Sequence, residues 1–234
     1  MKAIIMAGGK GTRLMPLTNS IPKPMVNIID KPVLEYVINL CKNHGITEIG
    51  ITLGYLPDAI VDYFGDGKKF GVNITYFFED EPLGTAGGVK NAEGYLGEDF
   101  VVLSGDAYSE IDLTRAIEFH KQKESLFTIV ATPHPNPVGY GIIELDFENR
   151  IKKFVEKPQV VYPSLINTGI YVPYDISSLL PGDVDCLERI LYVKLVGIGD
   201  ENGVQMAQRL ASGDFRTLYK NETESVCSRL GYIV

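Results

Sequence analysis

The feature that most constrains the fold is a regular alternation of short apolar runs with segments of helical periodicity, from the N-terminus to about residue 131. Apolar runs at 3–6, 49–53, 100–103 and 127–131 predict buried strands, and the alternating segment 72–78 predicts another. Helices are predicted over residues 33–44, 57–64, 85–96 and 113–122. Strands separated by helices of this kind are joined by right-handed crossovers, so the pattern indicates an α/β fold with a mostly parallel sheet.

Two loops follow strands of this predicted sheet. Residues 7–23 come after the first strand, and residues 104–112 come after the strand at 100–103. Open parallel sheets bind ligands beyond the carboxyl ends of their strands. We therefore expect these two loops to converge on one site.

From about residue 140 the pattern changes to shorter strands, which are predicted over 141–145, 151–155 and 165–172. Beyond Pro181 the periodicity is weaker. Residues 187–196 fit a helix or a strand, 204–211 fit an amphipathic helix, and 230–234 fit a last strand.

The charge balance excludes one class of function. The 234 residues include 22 Lys and Arg and 30 Asp and Glu, for a net charge of −8. A general nucleic-acid binder is usually basic, so no nucleic-acid partner is expected. A few local cations still suffice to bind one nucleoside triphosphate. No apolar run approaches the roughly 18 residues of a membrane span, and the run at 3–6 is not a signal sequence, so we expect a cytoplasmic protein with no membrane partner.

The cysteines and histidines indicate no metal site. Cys41, Cys186 and Cys227 form no C-x-x-C pair, which is typical of reduced thiols. Cys41 falls on an apolar helical face and is predicted to be buried. The three histidines, at positions 44, 120 and 134, lack metal-ligand spacing, and structural or solvated roles are expected for them.

A glycine-rich segment, Ala7-Gly8-Gly9-Lys10-Gly11-Thr12-Arg13-Leu14, directly follows the first predicted strand. Its glycines let the backbone amides approach an anion, and Arg13 adds a bidentate donor for phosphate. The segment is not a P-loop, because Lys10 is misplaced, nor a dinucleotide fingerprint, because position 14 is leucine. It therefore predicts a phosphate-binding loop, with a flexible solvated turn as the alternative.

Further motifs follow in order along the chain, and together they resemble the signature of the sugar-1-phosphate nucleotidyltransferases. They are Pro22-Lys23-Pro24-Met25, Glu81-Pro82-Leu83-Gly84-Thr85-Ala86-Gly87-Gly88, Leu103-Ser104-Gly105-Asp106, Val155-Glu156-Lys157-Pro158 and Asn167-Thr168-Gly169-Ile170-Tyr171. The pattern is most similar to that of bacterial mannose-1-phosphate guanylyltransferases. The resemblance implies a Rossmann-like, mostly parallel mixed sheet flanked by helices, of the nucleotide-diphospho-sugar transferase type.

The resemblance also implies a role for each matching residue. Arg13 would hold the β and γ phosphates, Lys23 would lie against the α-phosphate, and Asp106 would be a Mg²⁺ ligand. The remaining nucleotide contacts would come from Ala7, Gly8, Gly9, Gly11, Thr12, Glu81, Gly84 and Thr85. The sugar phosphate would contact Gly141, Glu156, Lys157 and Asn167.

The reaction chemistry is consistent with these roles. When a sugar phosphate oxygen attacks the α-phosphorus in line, negative charge shifts to the equatorial and leaving oxygens, and positioned cations and a metal ion stabilise it. Four of these residues also have a structural alternative. Lys23 could be a solvated lysine in a proline-rich turn, and Asp106 could be a turn or cap residue. Glu156 and Lys157 could form only a surface pair. Asp112 fits the cap role better, so Asp106 is assigned to the metal and Asp112 to the helix.

The resemblance ends after about residue 183. We predict a nucleotidyltransferase domain over 1–183 and a divergent extension of unassigned fold over 184–234. The family's late second Mg²⁺ aspartate has no clear counterpart, and only Asp200 and Asp214 follow a glycine in the tail. If nothing replaces that ligand, we expect low turnover with nucleotide binding partly kept.

The favoured reaction joins GTP to mannose 1-phosphate. Two alternatives stay open: glucose 1-phosphate with UTP, dTTP or ATP, and a nucleotide-sugar-binding regulatory subunit with impaired catalysis. A dinucleotide-dependent dehydrogenase is disfavoured by Leu14 and by Leu53-Gly54, where an acidic residue would be needed. Assembly into a homo-oligomer is left open by the sequence.

Overall fold

A computed structural model of the chain describes residues 1–97, 99–125, 127–147, 150–157, 162–174 and 231–233. The chain divides into two units, Met1–Arg115 and Ala116–Val234. In chain order the first unit contains β1 (Lys2–Met6), β2 (Asn27–Ile28), β3 (Lys31–Pro32), α1 (Val33–Asn43), β4 (Glu48–Leu53), α2 (Asp58–Phe64), β5 (Asn73–Phe78), α3 (Gly84–Asn91), β6 (Phe100–Ser104) and the start of α4 (Leu113–Gln122).

β2 and β3 form a small antiparallel sheet of their own. The main sheet of the first unit is entirely parallel. Its strand order is β6-β1-β4-β5, and the register places Ile4 of β1 beside Gly50 of β4 and Val102 of β6. The apolar runs in the middle of β1, β4 and β6 are buried, and Ile4, Ile51 and Phe100 have no exposed surface. The predicted strands and the α/β class are thereby confirmed.

Helix α1 shows why the periodic pattern was informative. Its five buried residues, Val33, Leu34, Val37, Ile38 and Cys41, recur at helical spacing on one face. The helix ends at Asn43, and Gly45 two positions later adopts a φ of 75°. Glycine adopts this left-handed conformation readily, which explains the helix end at the predicted place. Cys41 is fully buried, as expected.

Helix α3 is shorter than the sequence indicates. The prediction of helix over 85–96 is wrong beyond Asn91, where the chain leaves the α-helix. The amides of Ala92, Glu93 and Tyr95 bond to carbonyls three residues earlier, as in tight turns rather than an α-helix. Residues 92–95 thus continue the helical pattern of the sequence but do not form part of the α-helix.

The second unit contains β7 (Phe127–His134), β8 (Ile142–Leu145), β9 (Ile151–Val155), β10 (Ser164–Pro173) and β11 (Gly231–Ile233). β10 pairs antiparallel with both β7 and β8, and β8 pairs antiparallel with β9. β11 pairs parallel with β7, which confirms the predicted last strand. β7 runs to His134, past the predicted end at 131. The predictions for 187–196 and 204–211 fall outside the described residues.

No helix in the described ranges combines the length and the apolar character that crossing a bilayer requires.

The Asp112 side chain accepts a hydrogen bond from the amide of Arg115 at 3.0 Å, so it caps α4 as predicted.

Candidate functional site

The glycine-rich loop is held against the end of β4. The amide of Ala7 donates to the carbonyl of Thr52 at 3.0 Å, and the amide of Tyr55 donates to the carbonyl of Gly8 at 3.3 Å. Further along, the hydroxyl of Thr18 donates to the carbonyl of Gly11 at 2.9 Å. These bonds fix the loop backbone at the carboxyl ends of β1 and β4.

This loop forms one wall of a cavity of about 390 Å³ in the first unit. The cavity is lined by Met6, Ala7, Gly8, Gly9, Gly11, Thr12, Arg13, Lys23, Pro24, Glu79, Pro82, Gly84, Thr85, Ser104 and Asp106. The loops at 7–23 and 104–112, which the sheet rule predicted to converge, both contribute to it. Its volume lies within the range of small-molecule sites.

Lys23 and Asp106 meet in this cavity although they are far apart in the sequence. Lys23 opens a short 3-10 turn after Pro22, and Asp106 follows β6 through Gly105. The Lys23 ammonium forms an ion pair with Oδ2 of Asp106, and the hydroxyl of Ser104 donates to Oδ1 at 2.7 Å. The carboxylate thus has a separate partner on each oxygen.

The partners keep Asp106 ionised. Burial acts to raise the pKa of its carboxyl, but the hydrogen bonds from Lys23 and Ser104 outweigh burial and hold the pKa below its ordinary value. The cavity therefore contains a fixed anion beside a cation. Such a pair can exchange partners when a charged ligand enters.

Arg13 supplies a second cation. It lies in the 3-10 turn Thr12–Leu14, is solvent-exposed and lines the cavity. Among the described residues it makes no ion pair, so its guanidinium is available to bind an anion.

Glu79 is a cavity residue that the motif comparison missed. It directly follows β5, and its Oε2 accepts a hydrogen bond from the amide of Leu83 at 3.4 Å. A Cβ added to Gly88 would lie 2.8 Å from its Oε1, so the carboxylate occupies space that this glycine leaves open. The sequence does carry a signal for Glu79, because it directly follows the strand predicted over 72–78. The motif residue Glu81 is exposed and is not among the cavity-lining residues that the structure describes.

The four residues assigned to the sugar phosphate lie together in the second unit. The amide of Asn167 donates to the carbonyl of Gly141 at 2.9 Å, and a Cβ added to Gly141 would lie 2.9 Å from Oε2 of Glu156. Lys157 pairs with Glu156 at 2.5 Å.

The Asn167 side chain is fixed by neighbours on its own strand. Its Oδ1 accepts from the amide of Gly169 at 2.9 Å, and its Nδ2 donates to the hydroxyl of Tyr171 at 2.7 Å. The cluster of Gly141, Glu156, Lys157 and Asn167 therefore offers a cation and a carboxylate after the end of β9 and an oriented amide within β10, beside the start of β8.

The fold and the first-unit cavity define an α/β protein in which a glycine-rich loop and the cationic residues Arg13 and Lys23 line a cavity at the carboxyl ends of a parallel sheet. A family model described as nucleotidyl transferase matches residues 2–176. The chain belongs to the nucleotidyl transferase family.

Curated relatives are similar over most of this chain. A UTP–glucose-1-phosphate uridylyltransferase of Synechocystis is 39% identical in an alignment 217 residues long, and the alignment covers 85% of this chain and 56% of the relative. A mannose-1-phosphate guanyltransferase of Saccharomyces cerevisiae is 40% identical in an alignment 194 residues long, which covers 80% of this chain and 52% of the relative. The chain thus spans about half the length of the curated relatives it matches.

Among solved structures, HddC from Yersinia pseudotuberculosis complexed with GMP-PN superposes with a TM-score of 0.70 at 32% identity, over 80% of this chain and 83% of HddC. The expected fold, a mostly parallel mixed sheet flanked by helices of the nucleotide-diphospho-sugar transferase type, is thereby confirmed.

Proposed function

We propose that the chain transfers a nucleoside monophosphate from a nucleoside triphosphate to a hexose 1-phosphate and releases pyrophosphate. The observation that carries this proposal is that the glycine loop, Arg13, Lys23 and Asp106 line the same cavity. A triphosphate needs closely approaching amides and several cations, and this cavity has both.

We assign the nucleotide to the first unit. Gly8, Gly9, Gly11 and Thr12 line the cavity. We assign their amides and the hydroxyl of Thr12 as donors to phosphate oxygens. Arg13 binds the β and γ phosphates, because its planar fork matches two phosphate oxygens at once. Gly84 and Thr85 at the start of α3 line the same cavity and are assigned to the nucleoside.

Lys23 acts on the reacting phosphorus. When the sugar phosphate oxygen bonds to the α-phosphorus and the bond to the departing pyrophosphate breaks, negative charge grows on the α-phosphate oxygens. The ammonium of Lys23 leaves Asp106 and stabilises that charge. No proton transfer is required, because the attacking phosphate is already an anion.

The cavity suits Mg²⁺. Within the described ranges no three Asp, Glu, His or Cys side chains come together as a metal cluster, so the protein offers few ligands of its own. Mg²⁺ is commonly held by one or two carboxylates together with substrate phosphates and water. Asp106 would hold it through its carboxylate, and when bound the ion would neutralise charge on the phosphates.

We assign the sugar 1-phosphate to the cluster of Gly141, Glu156, Lys157 and Asn167. Lys157 offsets the phosphate charge, and 55% of its side chain is exposed. The Glu156 carboxylate can accept hydrogen bonds from two hydroxyls, and Gly141 leaves space beside it.

GTP and mannose 1-phosphate are the pair we favour, with support from the guanyltransferases among the relatives. UTP and glucose 1-phosphate are the second candidate, because the Synechocystis relative carries that name and aligns with 85% of this chain. Base and sugar choice depends on a few contacts, so these two pairs need a direct comparison.

The test incubates the purified chain with Mg²⁺, each nucleoside triphosphate in turn and either mannose 1-phosphate or glucose 1-phosphate. Pyrophosphate is followed by a coupled assay, and the nucleotide sugar is identified by mass. We expect pyrophosphate to be released only in the mixture of GTP and mannose 1-phosphate. Release with UTP and glucose 1-phosphate alone would replace the favoured pair with the second candidate.

Binding of the triphosphates to the same preparation is measured by calorimetry. If triphosphates bind and no mixture yields pyrophosphate, the transferase proposal fails for this chain. That outcome would favour the nucleotide-sugar-binding subunit.

A further inference from the structure

The two oxygens of Asp106 are held by groups of different mobility. The donor to Oδ1 is the hydroxyl of Ser104, the last residue of β6, whose backbone is paired with Met6 of β1. The next amide, that of Gly105, also donates to the carbonyl of Met6, at 2.9 Å. The hydroxyl therefore projects from a backbone fixed on both sides.

The partner on Oδ2 is less restrained. The Lys23 ammonium ends a flexible four-carbon chain that begins in a short turn, and 30% of the Lys23 side chain is exposed. In the proposed reaction this ammonium moves to a phosphate. Asp106 then loses one of its two side-chain partners at the moment when its carboxylate has to face a cation.

We infer that Ser104 is the positioning residue that orients Asp106 toward a divalent cation. This inference rests on the proposed function. By occupying Oδ1, the hydroxyl fixes the rotation of the carboxylate and leaves Oδ2 toward the space that Lys23 occupies. Hydrogen bonds of this outer kind commonly change metal affinity about 10-fold to 100-fold.

The two partners of Asp106 therefore act on cation binding in opposite directions. Removing the Ser104 hydroxyl frees the carboxylate to rotate and weakens binding of a divalent ion. Removing the Lys23 ammonium eliminates a competing cation at Oδ2 and strengthens it. A role for Ser104 in packing alone would not weaken binding of the divalent ion while the melting temperature stays unchanged.

The test uses Mn²⁺ as the probe and measures its binding to the nucleotide-free protein by the electron paramagnetic resonance signal of free Mn²⁺. The variants are Ser104→Ala, Ser104→Thr, Lys23→Met and the double variant Ser104→Ala/Lys23→Met. Ser109→Ala is the matched control, because Ser109 also bonds locally, to the amide of Ile111, and does not line the cavity.

We expect Ser104→Ala to weaken Mn²⁺ binding about 10-fold or more in both the wild-type and the Lys23→Met backgrounds. Ser104→Thr keeps the hydroxyl and suits a strand end, so it should stay within about threefold of wild type. Lys23→Met should bind Mn²⁺ more tightly than wild type. Ser109→Ala should match wild type.

The inference is overturned if Ser104→Ala binds Mn²⁺ like wild type, or if Ser104→Thr loses as much affinity as Ser104→Ala while both keep the wild-type melting temperature. This readout needs no turnover. The inference about Ser104 can therefore fail while pyrophosphate release supports the proposed function. It can also hold when no mixture releases pyrophosphate and the proposed function fails.

Discussion

The α-carbon of Gly11 lies against the stem of Lys23: a Cβ at position 11 would stand 2.9 Å from the Cβ of Lys23. Gly11 also has a φ of 61°, a left-handed conformation that strains residues with a side chain. The glycine loop and Lys23 are thus fitted to each other.

A first prediction concerns this contact. Gly11→Ala should lower the free energy of unfolding by about 2 kcal/mol, because it adds both backbone strain and overpacking. It should also slow pyrophosphate release more than the stability loss explains, because Lys23 is pushed out of place. Urea unfolding and the coupled assay measure the two effects.

Gly9→Ala is the matched control within the same loop. A Cβ at position 9 would meet no atom within 4 Å, so the free energy of unfolding should change little. If Gly11→Ala and Gly9→Ala unfold at the same urea concentration, the fit between Gly11 and Lys23 is not a constraint on the fold.

A second prediction concerns the helix-capping role of Asp112. Asp112→Ala removes the hydrogen bond to the amide of Arg115 and should destabilise the protein by about 1 kcal/mol. Asp112→Asn keeps a capping oxygen and should remain close to wild type. Both variants should retain the rate of pyrophosphate release, since Asp112 does not line the cavity. A large loss of rate in either variant would contradict its structural assignment.

Much of the fold was predictable because burial leaves its mark on the sequence. The apolar runs of β1, β4 and β6 are buried on both faces, which is typical of parallel strands. The end of α3 was not predictable, because residues 92–95 have helical spacing but bond in tight turns. Whether a local pattern continues as a helix is decided by contacts outside it.

The site was predictable where a residue follows a strand end. That rule identified the glycine loop and Asp106, and it would also have identified Glu79 at the end of β5. The sheet rule also predicted that the loops containing Lys23 and Asp106 converge. It could not predict their direct ion pair, because that contact depends on how the two side chains lie in the folded cavity.

A third prediction concerns pH. The folded state lowers the pKa of Asp106, so the ionised carboxylate stabilises the fold above its ordinary pKa of about 3.9 and this contribution is lost as the pH falls through the lower folded value. Without Mg²⁺, the difference in free energy of unfolding between wild type and Asp106→Asn should be constant between about pH 7 and 5 and should shrink below about pH 4.

The Lys23→Met background serves as the control for this experiment. Removal of the ammonium takes away a hydrogen bond that lowers the pKa of Asp106, so the dependence on pH should flatten. A difference between wild type and Asp106→Asn that stays equal from pH 7 to pH 3.5 would be incompatible with the lowered pKa.

A fourth prediction concerns Cys41. Burial raises the pKa of its thiol to about 12, and the side chain has no exposed surface. Iodoacetamide at about pH 8 should leave Cys41 unmodified in the folded protein and alkylate it fully in strong denaturant. Mass spectrometry of the peptide that contains Cys41 measures both. Rapid alkylation under native conditions would show that the apolar face of α1 opens.

The last prediction compares Lys23, which lies against Gly11 in the fold, with Lys10, which precedes Gly11 in the sequence. Lys23→Met should reduce kcat for pyrophosphate release about 100-fold or more and change KM for the triphosphate much less, because the ammonium acts mainly on charge that develops during the reaction. Lys10→Met removes an exposed lysine of the glycine loop that does not line the cavity, so its kinetics should match wild type. Equal rates for Lys23→Met and wild type would remove Lys23 from the mechanism. Equal losses in both variants would show that net positive charge near the loop matters rather than the ammonium beside Asp106.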